Sequence, residues 1–434
     1  MKGKFVVKEL LASEIMDSRG LPTVACQVRL QDGASGFMQV PSGQSTGQYE
    51  ACELRDLDPD RYFGKGVRKA VSNIENIIAP LVCGRQFESI EVFDSVMLNH
   101  DNTSQKTFLG ANAILAVSGA FARAAAFSSG LPLYAFFSRD AHVLPVPLMN
   151  VINGGKHAHN PLVVQEFMLV PHGFDSFSAA IFASGKITKV LGDILSKQCR
   201  HVGRGDEGGY APDFSDTRSA LDAICMAIKQ AGFSFDQVSL ALDMAASEYC
   251  NQSGYFLDKE GQVVLPKEAW LDYLESLVSD YPIVSIEDAA DETDFDMWKL
   301  MTERLSSRVQ LVGDDVFVTQ IKRLKLGMSS GVANAILIKP NQVGSVSETI
   351  ATMDCAYANG YKTVVSHRSG ETEDSIISDI SVGYSAGQIK AGPLRQSDRV
   401  AKYNRLLWIE RELGNRAKFA KDIYKCYLDA RLKV

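Results

Sequence analysis

Val238-Ser-Leu-Ala-Leu-Asp243 opens a series of short apolar runs that each stop at a polar residue. The series continues with Ile283-Val-Ser-Ile-Glu287, Val309-Gln-Leu-Val-Gly-Asp314, Ala335-Ile-Leu-Ile-Lys339, Thr363-Val-Val-Ser-His367 and Gly387-Gln-Ile-Lys390. Short runs that are apolar almost throughout are how buried parallel strands read. In most cases the step from one terminal polar residue to the next is roughly 25 residues, one strand plus one helix, which predicts a (β/α)8-type barrel. The six polar side chains would then emerge together at the C-terminal mouth, where such barrels carry their chemistry.

The pattern weakens upstream of Val238. Apolar runs near Val146 and Phe167 precede a long helical stretch without clean alternation, so the strand order at the start of the barrel does not follow from the pattern. From Val6 to about Val40 the sequence is β-branched, with breaks at Asp17-Ser18-Arg19-Gly20 and Asp32-Gly33, which predicts an antiparallel meander. Helical spacing follows over 66–82, 88–99 and 110–128, and Gly130-Leu131-Pro132 stops the last stretch. The expected fold is an α/β barrel over residues 141–434, preceded by an α+β domain over residues 1–140.

The 434 residues are 46% hydrophobic and 22% charged, ample for a large core. A net charge of -7 argues against nucleic acid as a partner. The first residues lack the apolar core of a signal peptide and no run approaches the ~20 apolar residues of a membrane span, so a cytoplasmic protein with no membrane span is expected. Eight cysteines lie scattered without a CxxC pair, which suits reduced thiols better than disulfides or a zinc site.

Asp243, Glu287 and Asp314 place three carboxylates on successive strand ends. A single carboxylate there can equally cap the next helix; three together form a hard-oxygen donor set that points to Mg2+. Lys339 and Lys390 end apolar strands, where an ammonium needs a partner or a purpose. Either could form a structural ion pair, and a nearby divalent cation would lower a lysine's pKa and make it a general base. Ser366-His367-Arg368-Ser369-Gly370 sets a guanidinium and a hydroxyl in one turn, a match for a phosphoryl group. Glu207 in Gly205-Asp-Glu-Gly-Gly209 and Glu166 in Val164-Gln165-Glu166-Phe167 supply two more carboxyls. If the two lie close, one stays protonated and can serve as an acid. Two glycine-containing loops, Pro41–Gly47 and Asn153–Asn160, are candidate lids.

Taken together, the segments SGQSTG, NVINGGKHAHN, VQEFM, GDEGG, ALDMAASE, SIED, VGDD, IKPNQVGS, SHRSGETED and QIKAGP resemble the enolase family from end to end. The resemblance implies an N-terminal α+β domain on a ββαα(βα)6 barrel, with two Mg2+ per active site. It implies reversible dehydration of 2-phosphoglycerate to phosphoenolpyruvate, as in glycolysis and gluconeogenesis. On this resemblance Asp243, Glu287 and Asp314 hold one Mg2+ and Ser45 helps hold the second. Lys339 is the base at C2 and Glu207 the acid for the C3 hydroxyl, with Glu166 beside it. His157 closes in from the second lid, and His367 joins the catalytic group. Arg368 and Ser369 grip the phosphate, Lys390 holds the carboxylate end, and Gln165 lines the substrate site. The family pattern also implies a homodimer, with higher assembly open.

Several positions depart from that pattern. Gln44 and Lys156 stand in the lids where Ala and Ser are usual, and Ala289 replaces a proline, which predicts altered lid closure or affinity. Ser13 with Arg411 and Ala25 with Trp408 cannot form the family's intersubunit ion pairs, so a more apolar contact, with Trp408 against Ala25, is expected. Two alternatives use the same residues: a dehydratase or racemase acting on an unphosphorylated acid, and a divergent paralogue kept for binding or scaffolding.

Overall fold

The computed structural model describes residues 4–43 and 47–431. Strands β1 (Phe5–Met16), β2 (Pro22–Leu30) and β3 (Ser35–Gln39) form the predicted meander, and a short strand, Gln86–Phe87, pairs with the start of β1. Helices α1 (Ile90–Asp101) and α2 (Ala111–Ser128) follow. α1 begins at Ser89, whose hydroxyl accepts from the Val92 amide, an N-cap that a serine supplies well. It ends at Asn102 in a left-handed conformation, which asparagine tolerates.

Helix α2 overturns one detail of the sequence reading. Over 18 residues its mean hydropathy is 1.2, enough by length and composition to cross a membrane, although no such run was expected. The helix is 83% buried, with β2 and β3 on one side and helices on the other, so an all-round apolar surface is what its packing requires.

The barrel consists of β4 (Val146–Asn153), β5 (Glu166–Val170), β6 (Ser239–Asp243), β7 (Ile283–Glu287), β8 (Gln310–Gly313), β9 (Ala335–Ile338), β10 (Lys362–Ser366) and β11 (Gln388–Lys390), closed by pairing of β11 with β4. β5 runs antiparallel to both β4 and β6, and the remaining pairings around the ring are parallel. Helices α3 (Phe177–Gln198) and α4 (Thr217–Gln230) come in succession between β5 and β6. This ββαα opening is the part the alternation could not resolve. Outer helices then separate successive strands, including α5 (Lys267–Asp280) and α6 (Phe295–Leu305), and α7 (Val346–Ala358) and α8 (Ser397–Leu413) come later.

The barrel interior is filled by Val146, Leu148, Met168, Val170, Ala241, Val284, Val312, Ala335, Leu337 and Val364, all buried. It is therefore a packed core that leaves the mouth as the place for chemistry. Among the described residues all eight cysteines are free thiols. Trp408 on α8 is 62% exposed, but Ala25 is 1% exposed and covered within its own chain. The expected contact of Trp408 with Ala25 of a second copy therefore has no surface at Ala25 to use.

Candidate active site

Three neighbouring strands set a row of carboxylates. Asp243 lies opposite Glu287 in the β6–β7 register and opposite Glu166 in the β6–β5 register. Because β5 is antiparallel, its first residue reaches the mouth, where its neighbours present their last. Lys390 at the end of β11 brings the row together: its Nζ lies 2.9 Å from Asp243 Oδ2, 2.8 and 2.9 Å from the two oxygens of Glu287, and 3.2 Å from Glu166 Oε1. Burial opposes the charge on Lys390, but the Asp243, Glu166 and Glu287 carboxylates hold its pKa well above the usual lysine value. Gln165 donates to the same Asp243 oxygen at 3.3 Å.

Asp314, just past β8, is held separately. Lys339 Nζ binds its Oδ2 and Gln342 Nε2 donates to its Oδ1 at 2.9 Å. Lys339 is buried, which disfavours the ammonium, yet the Asp314 carboxylate outweighs burial and raises its pKa. The lowering expected from the sequence concerns a lysine beside a bound divalent cation, whereas here the partner of Lys339 is the Asp314 carboxylate.

In this structure Lys390 stands among Asp243 and Glu287, and Lys339 on Asp314. The acidic ligand atoms within 4.8 Å of one another are those of Asp288, Asp314 and Asp315. Asp288 accepts the Asp314 and Asp315 amides at 2.8 and 2.9 Å, and so fixes the turn that presents both. Its φ of 42° is left-handed, and Ala289 spares it the restriction that a following proline would impose.

The second group within 4.8 Å joins His157, Glu166 and Glu207. Glu207 is placed by its loop: a Cβ at Gly205 would fall 2.5 Å from Asn153 on β4, so only glycine lets the loop approach so closely. Asn150 Nδ2 donates to Glu207 Oε2 at 2.8 Å, and the rings of His367 and His157 lie 3.5 and 3.6 Å from Oε1. Burial raises the Glu166 pKa, reinforced by the Glu207, Asp243 and Glu287 carboxylates. Burial would also raise that of Glu207, but His367, His157, Arg399 and Lys390 hold it well below the usual range. Burial and the neighbouring charges thus shift the two carboxyls in opposite directions, Glu166 upward and Glu207 downward.

Arg368 and Ser369 are buried at the same mouth, facing the lids. Arg368 is bound to Glu50 at 2.9 and 3.2 Å, and Ser42 exchanges backbone hydrogen bonds with Gly370 at 2.7 and 2.9 Å. The first loop therefore packs against the Ser366–Gly370 segment. Gln44 and Ser45 lie outside the described residues, so the expectations for them receive no structural account. In the second loop His157 closes a short 3-10 turn, Gly155–His157, and Lys156 pairs with Glu248.

Sequence reasoning missed Asp288, Asp315, Gln342, Asn150, Glu50 and Arg399. Asp288 and Asp315 had a usable signal, since each doubles an acid at a strand end. Asn150, Glu50 and Arg399 had none, because each reaches the site from a position that periodicity does not mark.

Residues 7–137 match the family described as Enolase, N-terminal domain, and residues 141–426 match Enolase, C-terminal TIM barrel domain. The chain belongs to the enolase family. Enolase-family domains usually bind Mg2+, and the mouth offers acidic groups close enough together that they could hold a metal ion. The Glu287 pKa is pushed up to about 8 by burial and by the Asp243 carboxylate. An ammonium already sits where Asp243, Glu287 and Glu166 meet, so the donor set accepts a cation at that point. These oxygen-only donors fit Mg2+.

Proposed function

We propose that this enolase-family member dehydrates 2-phosphoglycerate to phosphoenolpyruvate. One observation carries the reading. Lys339, the Glu166 and Glu207 carboxyls and the Arg368–Ser369 turn line the same cavity, together with Asp243, Asp314 and Lys390.

In this reading Asp243, Glu287 and Asp314 hold one Mg2+ and Ser45 contributes to the second. When bound, the ions would stabilise the negative charge that grows on the substrate carboxylate as C2 loses its proton. Lys339 takes that proton on Nζ and must be neutral to do so; its contact with Asp314 has to weaken first. Arg368 and Ser369 orient the phosphate, with Arg368 exchanging Glu50 for a phosphate oxygen. Lys390 binds the substrate carboxylate. The Glu166/Glu207 pair delivers a proton to the departing C3 hydroxyl, which leaves as water. Glu207 acts as the acid, with Glu166 beside it. His157 covers the site from the second loop.

A cytoplasmic homodimer belongs to the same proposal, with Trp408 and the half-exposed Leu11 of β1 available as apolar contacts. The test of the reaction is the ultraviolet absorbance rise when purified protein receives 2-phosphoglycerate and Mg2+. Turnover lost with a chelator, and reduced about 10²–10⁴-fold in Lys339→Ala, is the expected result. Absence of turnover in the intact protein would reject the reading.

A further inference from the structure

Arg399 is one of the largest fully buried side chains in the protein. From α8 it reaches the back of the Ser366–Gly370 segment. Its Nη1 lies 2.5 Å from His367 Nδ1 and also donates to the Arg368 carbonyl, while Nη2 donates to the Ser369 carbonyl at 2.6 Å. A guanidinium has five donors, no acceptor and a permanent charge. The ring nitrogen facing it must therefore offer a lone pair.

We propose that Arg399 is a positioning residue that fixes His367 as its neutral Nε2–H tautomer, with that N–H aimed at Glu207. An Nδ1–H tautomer, or an imidazolium, would set two donors against each other at 2.5 Å. With Nδ1 bare, the proton lies on Nε2, which faces Glu207 Oε1 at 3.5 Å. The surroundings agree. The groups acting on His367 are the Glu207 carboxylate, which favours a charged ring, and Arg399, Lys390 and Lys339, which oppose it along with burial. Burial and those cations keep the ring neutral well below the usual histidine value.

The consequence deepens the proposed reaction and rests on it. His367 does not supply the proton for C3. Its Nε2–H instead faces the Glu207 carboxylate and orients that end of the carboxyl pair towards the departing hydroxyl. The same guanidinium holds the carbonyls of Arg368 and Ser369, and one side chain thereby sets both the phosphate turn and the state of the histidine.

The experiment is a long-range proton–nitrogen NMR spectrum of full-length protein labelled with 15N-histidine, with Mg2+ present, from about pH 6 to about pH 8. The His367 signals are assigned by their absence in His367→Gln. A bare Nδ1 and a protonated Nε2, unchanged across the range, is the expected result. A protonated Nδ1 or an imidazolium pattern overturns the proposal. In Arg399→Met the ring should gain Nδ1–H or begin to titrate, and kcat should fall about 10–100-fold with little change in KM, whereas Arg399→Lys retains the tautomer. A folded Arg399→Met protein with the original tautomer also overturns it, and if that variant fails to fold the wild-type spectrum decides. The tautomer is read without turnover, so a protein that makes no phosphoenolpyruvate rejects the proposed reaction while leaving this readout intact.

Discussion

Arg368 and Glu50 form a two-pronged ion pair at 2.9 and 3.2 Å, with side chains only 3% and 8% exposed. The guanidinium proposed to meet the phosphate is thus already neutralised by a residue just past the first loop. Removing one partner of a buried pair leaves an uncompensated charge, at a cost of roughly 3 kcal/mol or more. Glu50→Gln should therefore lower the melting temperature in the absence of anions. Inorganic phosphate should raise it more in the variant than in wild type, because Arg368 without the Glu50 carboxylate gains most from an anion. Equal phosphate shifts in the two proteins would remove Glu50 as a competitor.

Asp94 on α1 sits behind the first turn of α7, where its Oδ2 accepts from Ser118 Oγ at 2.9 Å and the Ser347 amide at 3.0 Å. Burial pushes its pKa up to about 7, against an ordinary value near 3.8. The contribution of this group to stability is complete below about pH 4 and is lost as pH rises through about 7. The gap of about three units corresponds to about 4 kcal/mol. Thermal unfolding of wild type against Asp94→Asn should show the two curves diverging as pH rises from about 5 to about 8, with the variant favoured at the high end. Parallel curves would show that Asp94 ionises without penalty.

Lys259 tethers the second loop from a separate β-hairpin segment, its Nζ donating to the Gly155 carbonyl at 2.5 Å and the Ala158 carbonyl at 2.8 Å. Hydrogen bonds from a charged donor contribute about 1.5–3 kcal/mol each. Lys259→Met should make residues 155–160 cleave at least tenfold faster in limited proteolysis and should raise KM, with the barrel's melting temperature little changed. Unaltered cleavage would place the hold on this loop elsewhere.

The expected dimer can be weighed through Trp408. Its exposed indole is a large apolar surface for one isolated monomer to present, and burying it at an interface would favour association. Sedimentation at micromolar concentration should give a dimer, weakened by Trp408→Ala. A wild-type monomer under those conditions rejects the homodimer.

The barrel strands from β6 to β11 were legible because each is buried on both faces and ends abruptly in a charged or polar residue. Asp243, Glu287, Asp314, Lys339, His367 and Lys390 could all be placed at one mouth on that basis alone. Glu166 could not, because it begins an antiparallel strand and the rule of reading strand ends fails for it. Asn150 lies inside β4 and Arg399 inside a helix, and both reach the site through packing between distant segments. The direction in which each of the two carboxyls shifts was hidden for a related reason. It depends on which one gathers donors and which one gathers other carboxylates, and that is decided only when the strands close.

Lys390 binds Asp243, Glu287 and Glu166 at once. Proteins whose acidic centre is compensated only by a bound ion cannot finish folding until that ion arrives. Here the chain brings its own internal counterion, so the barrel can close in a metal-poor environment. Binding of the proposed Mg2+ would then exchange one positive charge for another, and supply of the ion would govern activity more than the survival of the folded chain.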